Sequence, residues 1–367
     1  MLVPSTYQIA LLLAVIASIC LGSWANTQKM TGNKHRFEIF YLDFTLGAFL
    51  FAIAICFTLG SVNQAEITFT DSLIGIAFRK VSIAILAGVL FNLANAFFIS
   101  VVSISGMSLA FPLVVGLGAL ITLIGNYFLN PQGNVTMMIA GALFLIGAMV
   151  VTARAYRMAA QTRRAMEAAQ AAASSDQPPV QVPRGAPTRR PRKTGKTKSI
   201  ATKGVVLSLL AGFFLGPVSI LIDMSREGDM GIPGYVVIMF FAVGMLFTSL
   251  LVSPFWMNFP IEGEPLGISA YFKKANVRTH LLGFVGGVIA MAGFAAMTLA
   301  GAVPANQQIG TVISLALTMG IMALGTAWGV VVWGEFAGTG SRVRTLVMLM
   351  FVLIFSAAAL ISLAPNY

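Results

Sequence analysis

Long apolar runs separated by short polar stretches extend along most of the chain. Each run is nearly continuous in Leu, Ile, Val, Ala, Phe and Gly, and reaches the roughly 20 residues that a helix needs to cross about 30 Å of hydrocarbon. This pattern differs from the alternating strands of about ten residues that build a membrane barrel. It predicts ten membrane-spanning helices, over residues 7–25, 39–59, 82–104, 107–128, 135–153, 204–223, 234–256, 280–299, 305–333 and 343–363.

A polar segment separates the fifth predicted span from the sixth. It starts with an Ala-rich stretch of helical character at 157–173 and becomes rich in Pro, Arg and Lys at 177–203. Such a composition cannot bury enough apolar surface to offset its ordering entropy. The predicted organisation is therefore a first five-helix repeat at 1–154, a basic and mostly disordered linker at 155–203, and a second five-helix repeat at 204–367.

Five spans on each side of the linker give the two halves opposite orientations, because an odd number of crossings separates corresponding helices. Short echoes agree with this: residues 116–125 resemble 325–334 in their glycine spacing, and residues 21–23 resemble 215–217. The predicted fold class is thus an all-α integral membrane protein with ten transmembrane helices in two inverted repeats. Inverted repeats of transporters hold the substrate near the middle of the bilayer.

Composition excludes a soluble domain. Hydrophobic residues make up 57% of the chain and charged residues 10%, whereas soluble domains carry roughly a quarter charged residues. The net charge of +11 comes from the linker and from loops on its side. Only three basic residues fall on the opposite side, so the positive-inside rule predicts that the linker is cytoplasmic and that both termini lie outside. The expected location is the cell inner (plasma) membrane. Because the linker and the orientation account for the charge, no nucleic-acid partner is predicted. The three exceptions are Arg79, Lys80 and Arg226.

Several short motifs, in order along both halves, resemble the ureide permease family of the drug/metabolite transporter superfamily. The matching residues lie at 21–24, 41–46, 88–90, 92–95, 106–112, 125–129, 328–330 and 334–336. The resemblance implies a ureide or nucleobase-like solute taken up by symport with protons. Plant members of the family carry a phosphate-loop-like element in the central loop, but residues 194–197 have only its tail and no strand precedes it, so nucleotide binding is rejected.

Polar side chains inside a membrane cost free energy, so each is a candidate functional group. Asn92 and Asn95 share one helical face near the middle of the third span. Their amides suit the edges of a ureide, a nucleobase or a sugar, and the alternative is hydrogen bonding between helices. Trp24 could stack on a planar solute or anchor the helix at the membrane interface. The other candidates for solute contact are Asn26, Gln307 and Gln308, with a wet helix end as the alternative for the two glutamines.

Asp43 follows Tyr41 about one turn into the second span. Burial of a carboxylate favours its protonated form, so Asp43 is the candidate for proton coupling, with Tyr41 beside it. The alternative is a salt bridge from Asp43 to Lys29 or Arg36 at the cytoplasmic face. Two further acids near helix ends are candidates for a gate or a helix cap, namely Glu335 and Asp223.

These features predict a secondary carrier that moves a small polar solute by alternating access. The alternative is a sugar (rhamnose-like or ribose-like) or broad metabolite and drug permease of the same superfamily. A channel would show rings of charge or a carbonyl filter, and an intramembrane enzyme would need a nucleophile with a base, whereas His35 and His280 are expected at the cytoplasmic surface. No catalytic residue, metal site or cofactor is predicted. The expected partners are the solute, protons and the lipid bilayer.

Overall fold

The computed structural model describes most of the chain as helices. The described residues are 1, 4–32, 36–62, 67–131, 133–175, 196–228, 230–261, 264–267, 269–274, 276–302 and 311–364. The α-helices within these ranges are α1 Tyr7–Ser23, α2 Asn26–Met30, α3 Phe37–Phe57, α4 Phe78–Ser105, α5 Met107–Leu129, α6 Val135–Ser175, α7 Lys196–Arg226, α8 Gly234–Asn258, α9 Ser269–Lys274, α10 Val277–Ala300, α11 Thr311–Ala327 and α12 Ser341–Leu363. A π-helical turn, Trp328–Val332, continues α11.

Nine of the described helical segments are long and apolar enough to cross a membrane. They coincide with nine of the ten predicted spans, so an all-helical protein with several spans is confirmed at that level. The remaining predicted span, 305–333, corresponds to α11 and its π turn, and its first residues lie outside the described part of the chain. Helices satisfy their own backbone groups, which lets these segments lie in hydrocarbon.

The predicted linker is helical at both of its ends. The helix α6 continues without a break from its apolar span to Ser175, and α7 already begins at Lys196. Residues 176–195, rich in Pro, Arg and Lys, lie outside the described residues, so the disorder predicted for them stays a prediction. The end of the bundle at which α6 ends and α7 begins is called the linker side, and the opposite end the far side.

Helices of the first half pack mainly against helices of the second half. The main contacts join α3 to α8 and α10, α4 to α7 and α8, α1 to α10 and α11, α5 to α7 and α11, and α6 to α12. The same set of contacts results when each helix of the first half is exchanged with its counterpart in the second half: α1 with α7, α3 with α8, α4 with α10, α5 with α11 and α6 with α12. The two halves therefore present equivalent surfaces to each other.

Glycines bring α3 and α10 into backbone contact. A Cβ atom added to Gly47 would lie 2.1 Å from the carbonyl oxygen of Phe284, and one added to Gly287 would lie 1.8 Å from that of Phe44. Real Cβ atoms essentially never come closer than 3.0 Å to another heavy atom, so no larger residue fits without movement. Small residues serve the same purpose at other membrane helix interfaces.

The contact between α4 and α8 repeats this arrangement. A Cβ atom on Gly88 would lie 2.0 Å from the carbonyl oxygen of Phe241, and one on Gly244 would lie 2.2 Å from that of Ile85. In both crossings each glycine faces the carbonyl of the residue three positions before the partner glycine. The two crossings are therefore equivalent when the halves are exchanged, down to the register of the residues.

Candidate functional site

A cavity of about 530 Å³ lies between the two halves and opens on the far side of the bundle. This volume is typical of sites for small molecules. The lining descends from Asn126 and Asp223, near the far-side ends of α5 and α7, to Trp24 and Phe111, near the linker-side ends of α1 and α5. The cavity thus passes the middle of the bundle and ends before the linker side.

Aromatic side chains form the floor of the cavity. Trp24 is only 4% exposed, and its ring centroid lies 4.7 Å from that of Phe44 and 5.6 Å from that of Phe98. Phe111 packs edge-on against Phe98, with the centroids 4.9 Å apart. Trp24 is therefore buried among aromatic side chains of the bundle. Its ring and that of Phe98 line the space in which a planar ligand would stack.

The two asparagines of α4 differ in their surroundings. Asn95 lines the cavity, is 6% exposed, and its Nδ2 atom has no hydrogen-bond partner among the described residues. Asn92 is fully buried, and its Oδ1 accepts a hydrogen bond of 2.6 Å from the hydroxyl of Tyr41. The same hydroxyl lies 2.8 Å from the backbone oxygen of Asn92. Asn95 thus stands in the cavity wall, while Asn92 is bonded to Tyr41; the Nδ2 atoms of both amides are buried and have no hydrogen-bond partner among the described residues.

Polar and charged groups line the cavity nearer its mouth. Thr122 donates to the backbone oxygen of Gly216 at 2.8 Å and lies 3.1 Å from the hydroxyl of Ser219. At the rim, Asp223 is exposed to solvent, and Arg226 donates to the backbone oxygen of Gly301 at 2.7 Å. Asp223, predicted as a gate or cap, therefore lies at the entrance, where the wall changes from apolar to charged.

Asn26 and Glu335 lie on the linker side, beyond the floor. The Oδ1 of Asn26 accepts a hydrogen bond of 2.7 Å from the indole of Trp333, so this predicted solute ligand is bonded within the protein and away from the cavity. The carboxylate of Glu335 lies 2.7 Å from the Nζ of Lys29. Burial alone would raise the pKa of Glu335, but Lys29 and the hydrogen bonds of Ser108 outweigh it and hold that pKa below its ordinary value.

Asp43 has partners that the sequence did not indicate. One oxygen accepts a hydrogen bond from the hydroxyl of Tyr271 in α9, and the other lies 2.8 Å from Nδ1 of His280 in α10. His280 was expected at the surface, but it forms this contact, with 30% of its side chain exposed. Burial raises the pKa of Tyr271, so its hydroxyl stays protonated and donates to Asp43.

The partners expected in the alternative role of Asp43, a salt bridge to Lys29 or Arg36, are wrong. Arg36 pairs with Glu38 at 2.6 Å, and Lys29 pairs with Glu335. Sequence proximity suggested these partners, whereas the folded chain brings His280 to Asp43 across 237 positions.

Two predicted solute ligands, Gln307 and Gln308, lie outside the described residues. Within the described ranges, no three His, Cys, Asp or Glu side chains are grouped so that they could hold a metal ion. Of the aromatic floor, the sequence prediction named Trp24 and missed the two phenylalanines. Phe98 and Phe111 stand in continuous apolar runs, where nothing in the spacing separates a cavity wall from a helix interface.

Comparison with known proteins gives a distant, full-length similarity. No family model matches the chain. Ureide permease 1 of Arabidopsis thaliana is 22% identical over 385 residues, covering 96% of each chain, and ureide permease 3 of the same plant is 27% identical over 121 residues, covering 33% of this chain and 35% of that protein. These similarities support a ureide-permease-like family. A protein of known crystal structure has a similar fold, with a TM-score of 0.52, 18% identity and coverage of 96% of this chain and 97% of that chain.

Proposed function

We propose that this protein is a secondary-active carrier that moves a small polar solute, of ureide or nucleobase type, through a membrane by alternating access. Full-length similarity to ureide permease 1 and nine described spans support a membrane transporter and not an enzyme. The observation that carries the proposal is the cavity. It is open on the far side, ends at Trp24 and Asn95 inside the bundle, and stops short of the linker side, as expected for one state of a carrier.

The floor of the cavity favours a planar solute with carbonyl groups. Trp24 and Phe98 supply aromatic faces for stacking, and the amide of Asn95 in the cavity wall carries N–H donors of the kind that bond a carbonyl oxygen. A sugar presents a ring of hydroxyl groups that each need a partner when buried. The floor offers such groups few partners, which makes the sugar or broad metabolite permease the second candidate.

Alternating access is supported by the equivalence of the two halves. Besides the two glycine crossings, Gly22 of α1 faces the backbone oxygen of Ile321, and Gly216 of α7 faces that of Gly118, each at 3.2 Å from an added Cβ atom. Equivalent packings allow the halves to exchange conformations, so that the cavity closes on the far side and opens on the linker side. The ten-helix inverted repeat is the architecture proposed for this exchange.

Proton coupling is assigned to Asp43 together with His280. The pair joins α3 of the first half to α10 of the second half, and a Cβ atom on Gly283 would lie 2.8 Å from Cβ of Asp43, so the two helices are tightly apposed there. A proton on this pair would change a contact that the halves must rearrange. The pair lies outside the cavity lining, so protonation would act through the helix contact and would not need to touch the solute.

The proposed orientation has the linker in the cytoplasm and both termini outside, in the cytoplasmic membrane. It follows from the distribution of basic residues. A cysteine introduced at Ser174 should resist membrane-impermeant thiol reagents in intact cells and react after permeabilisation. Equal labelling before and after permeabilisation would reverse the orientation.

The function is tested with the purified protein in liposomes. Uptake of radiolabelled uracil and allantoin is measured with and without a pH gradient, in competition with rhamnose and ribose. Asn95→Leu should weaken solute binding by about 10-fold to 100-fold, because a buried partner is lost. The control Asn258→Leu changes an exposed amide at the end of α8 and should transport normally. Preferential competition by sugars would support the second candidate, and absence of uptake for every solute class would contradict the carrier.

A further inference from the structure

The carboxylate of Glu335 occupies a closely fitted site at the start of α5. Its oxygens accept hydrogen bonds from the backbone N–H of Met107 at 2.9 Å, the N–H of Ser108 at 2.8 Å and the hydroxyl of Ser108 at 2.5 Å. The ammonium of Lys29 lies 2.7 Å away. These four donors are called the carboxylate socket. The first amides of a helix and its dipole favour a negative charge at this position.

Two glycines make room for the carboxylate. A Cβ atom on Gly106, which has φ of +98°, would lie 2.4 Å from Oε1 of Glu335, and one on Gly329 would lie 2.7 Å from Oε2. Any side chain at either position would displace the carboxylate. The space therefore matches the carboxylate closely, which a loose surface ion pair does not require.

The socket joins the two halves beneath the cavity floor. Lys29 and Ser108 belong to the first half, and Glu335 belongs to the second. The same layer holds two further contacts between the halves, from the indole of Trp333 to Asn26 at 2.7 Å and from that of Trp328 to the hydroxyl of Ser23 at 2.9 Å. A path from the cavity floor to the linker side has to part these groups.

The backbone around Glu335 is also held by the extension of α6. The guanidinium of Arg163, about three turns beyond the apolar span of that helix, donates to the backbone oxygen of Glu335. The side chain of Glu335 is thus fixed by α2 and α5, while its main chain is fixed by the start of the linker.

We propose that the carboxylate socket is the linker-side gate: Glu335 occupies it while that side is closed and leaves it when that side opens. The role as a gate rests on the proposed carrier function, but whether Glu335 occupies the socket can be measured without transport. The socket consists mainly of N–H and O–H donors, so it requires an acceptor and not merely a charge of opposite sign to Lys29. This requirement separates it from a simple salt bridge.

The first test is hydrogen–deuterium exchange of the full chain in nanodiscs without solute. Glu335→Gln and Glu335→Ala should accelerate exchange of the amides of Met107 and Ser108 by at least about tenfold, because hydrogen bonds to a charged group are lost. The matched control is Glu38→Gln, which removes another buried acid of the linker side from its own ion pair with Arg36. It should leave exchange at the start of α5 unchanged.

The second test distinguishes the socket from a salt bridge. The charge-swapped variant Lys29→Glu with Glu335→Lys should not restore slow exchange, because the ammonium cannot accept hydrogen bonds from Met107 and Ser108. In Glu335→Ala, sodium acetate should slow the exchange of these two amides in a concentration-dependent way, whereas sodium chloride at equal ionic strength should not. Recovery by the charge swap, or no effect of acetate on a folded variant, would overturn the proposal.

The role as a gate is tested in the same nanodiscs by exchange in the segment 326–336. Glu335→Gln should expose this segment more than the wild type, while the Gly88 and Gly244 region of α4 and α8 keeps its protection. If socket occupancy behaves as expected but segment 326–336 stays protected, the socket is a structural cap and the gate assignment is wrong. None of these exchange measurements depends on uptake, so failure of the gate proposal can be distinguished from failure of the carrier proposal.

Discussion

The glycine crossings give the most quantitative prediction. In Gly88→Ala, the new Cβ atom would lie 2.0 Å from the carbonyl oxygen of Phe241, although such contacts are essentially never below 3.0 Å. The helices α4 and α8 must therefore separate by about 1 Å along this direction, or Phe241 must shift. Overfilling of a packed interior typically costs about 1–3 kcal/mol. Because the clash is with backbone, which cannot rotate away, the cost should lie toward the upper end of this range.

The assay is thermal unfolding in one detergent, with transport measured in parallel. A loss of about 2–3 kcal/mol should lower the melting temperature by several degrees. Because the crossings are equivalent, Gly287→Ala in the α3–α10 crossing should have an effect similar to that of Gly88→Ala. Gly147→Ala is the control, since the nearest atom to its added Cβ is 3.6 Å away, and alanine is the better helix former.

Equal melting temperatures for Gly88→Ala and Gly147→Ala would refute the close helix contact. A large effect of Gly88→Ala with none for Gly287→Ala would refute the equivalence of the two crossings, and with it the main support for exchange between the halves. Loss of transport without loss of stability in Gly88→Ala would show that the crossing also moves during the cycle.

Three further predictions concern charge. Asp43→Asn should abolish accumulation driven by a pH gradient but retain solute exchange in liposomes, and His280→Gln should do the same; accumulation by either variant would exclude it as the coupling group. Deletion of residues 177–198 should leave uptake largely intact, because a basic segment of this composition adds little to a helix bundle; a lower melting temperature would contradict this. The pKa of Glu335 is lower in the folded protein than its ordinary value of 4.5, so its ionised form stabilises the fold fully at pH values above 4.5. This contribution is lost as the pH falls through the lower folded-state pKa. Unfolding measured from pH 7 downward should show the loss in the wild type and not in Glu335→Gln.

The length of the apolar runs was sufficient to predict nine spans, most of them to within a few residues, because hydrocarbon thickness fixes helix length. The exceptions are at the linker, where α6 continues past 153 to Ser175 and α7 begins at Lys196, before 204. The register between the halves was not predictable in the same way. The glycine echo pairs residues 116–125 with 325–334, which would make Gly118 equivalent to Ala327. In the packing, the backbone carbonyl of Gly118 faces Gly216, and that of Ile321 faces the equivalent glycine Gly22. The packing therefore makes Gly118 equivalent to Ile321. The other echo, of residues 21–23 with 215–217, agrees with the packing, so short glycine and aliphatic motifs give conflicting registers, whereas interhelical distances fix the register directly.

Individual polar residues were harder to assign than helices for a physical reason. Spacing along a helix predicts which residues share a face, as for Asn92 and Asn95, but not which of them meets a cavity and which meets another side chain. Tyr41 decides that outcome by bonding to Asn92. The partner of Asp43 likewise comes from α10, and no local pattern indicates it.

The polar chemistry of the site breaks the equivalence of the two halves. Asn95 lies seven residues after Gly88, and the equivalent position, seven after Gly287, is Phe294; both side chains line the cavity. Asp43 directly precedes Phe44, while Phe240 directly precedes the equivalent Phe241. One half thus supplies the amide and the titratable acid, and the other supplies aromatic surface at the same positions. In the proposed carrier, equivalent backbones would allow the halves to exchange conformations, and unequal side chains would leave one site for the solute and one for the proton in both conformations.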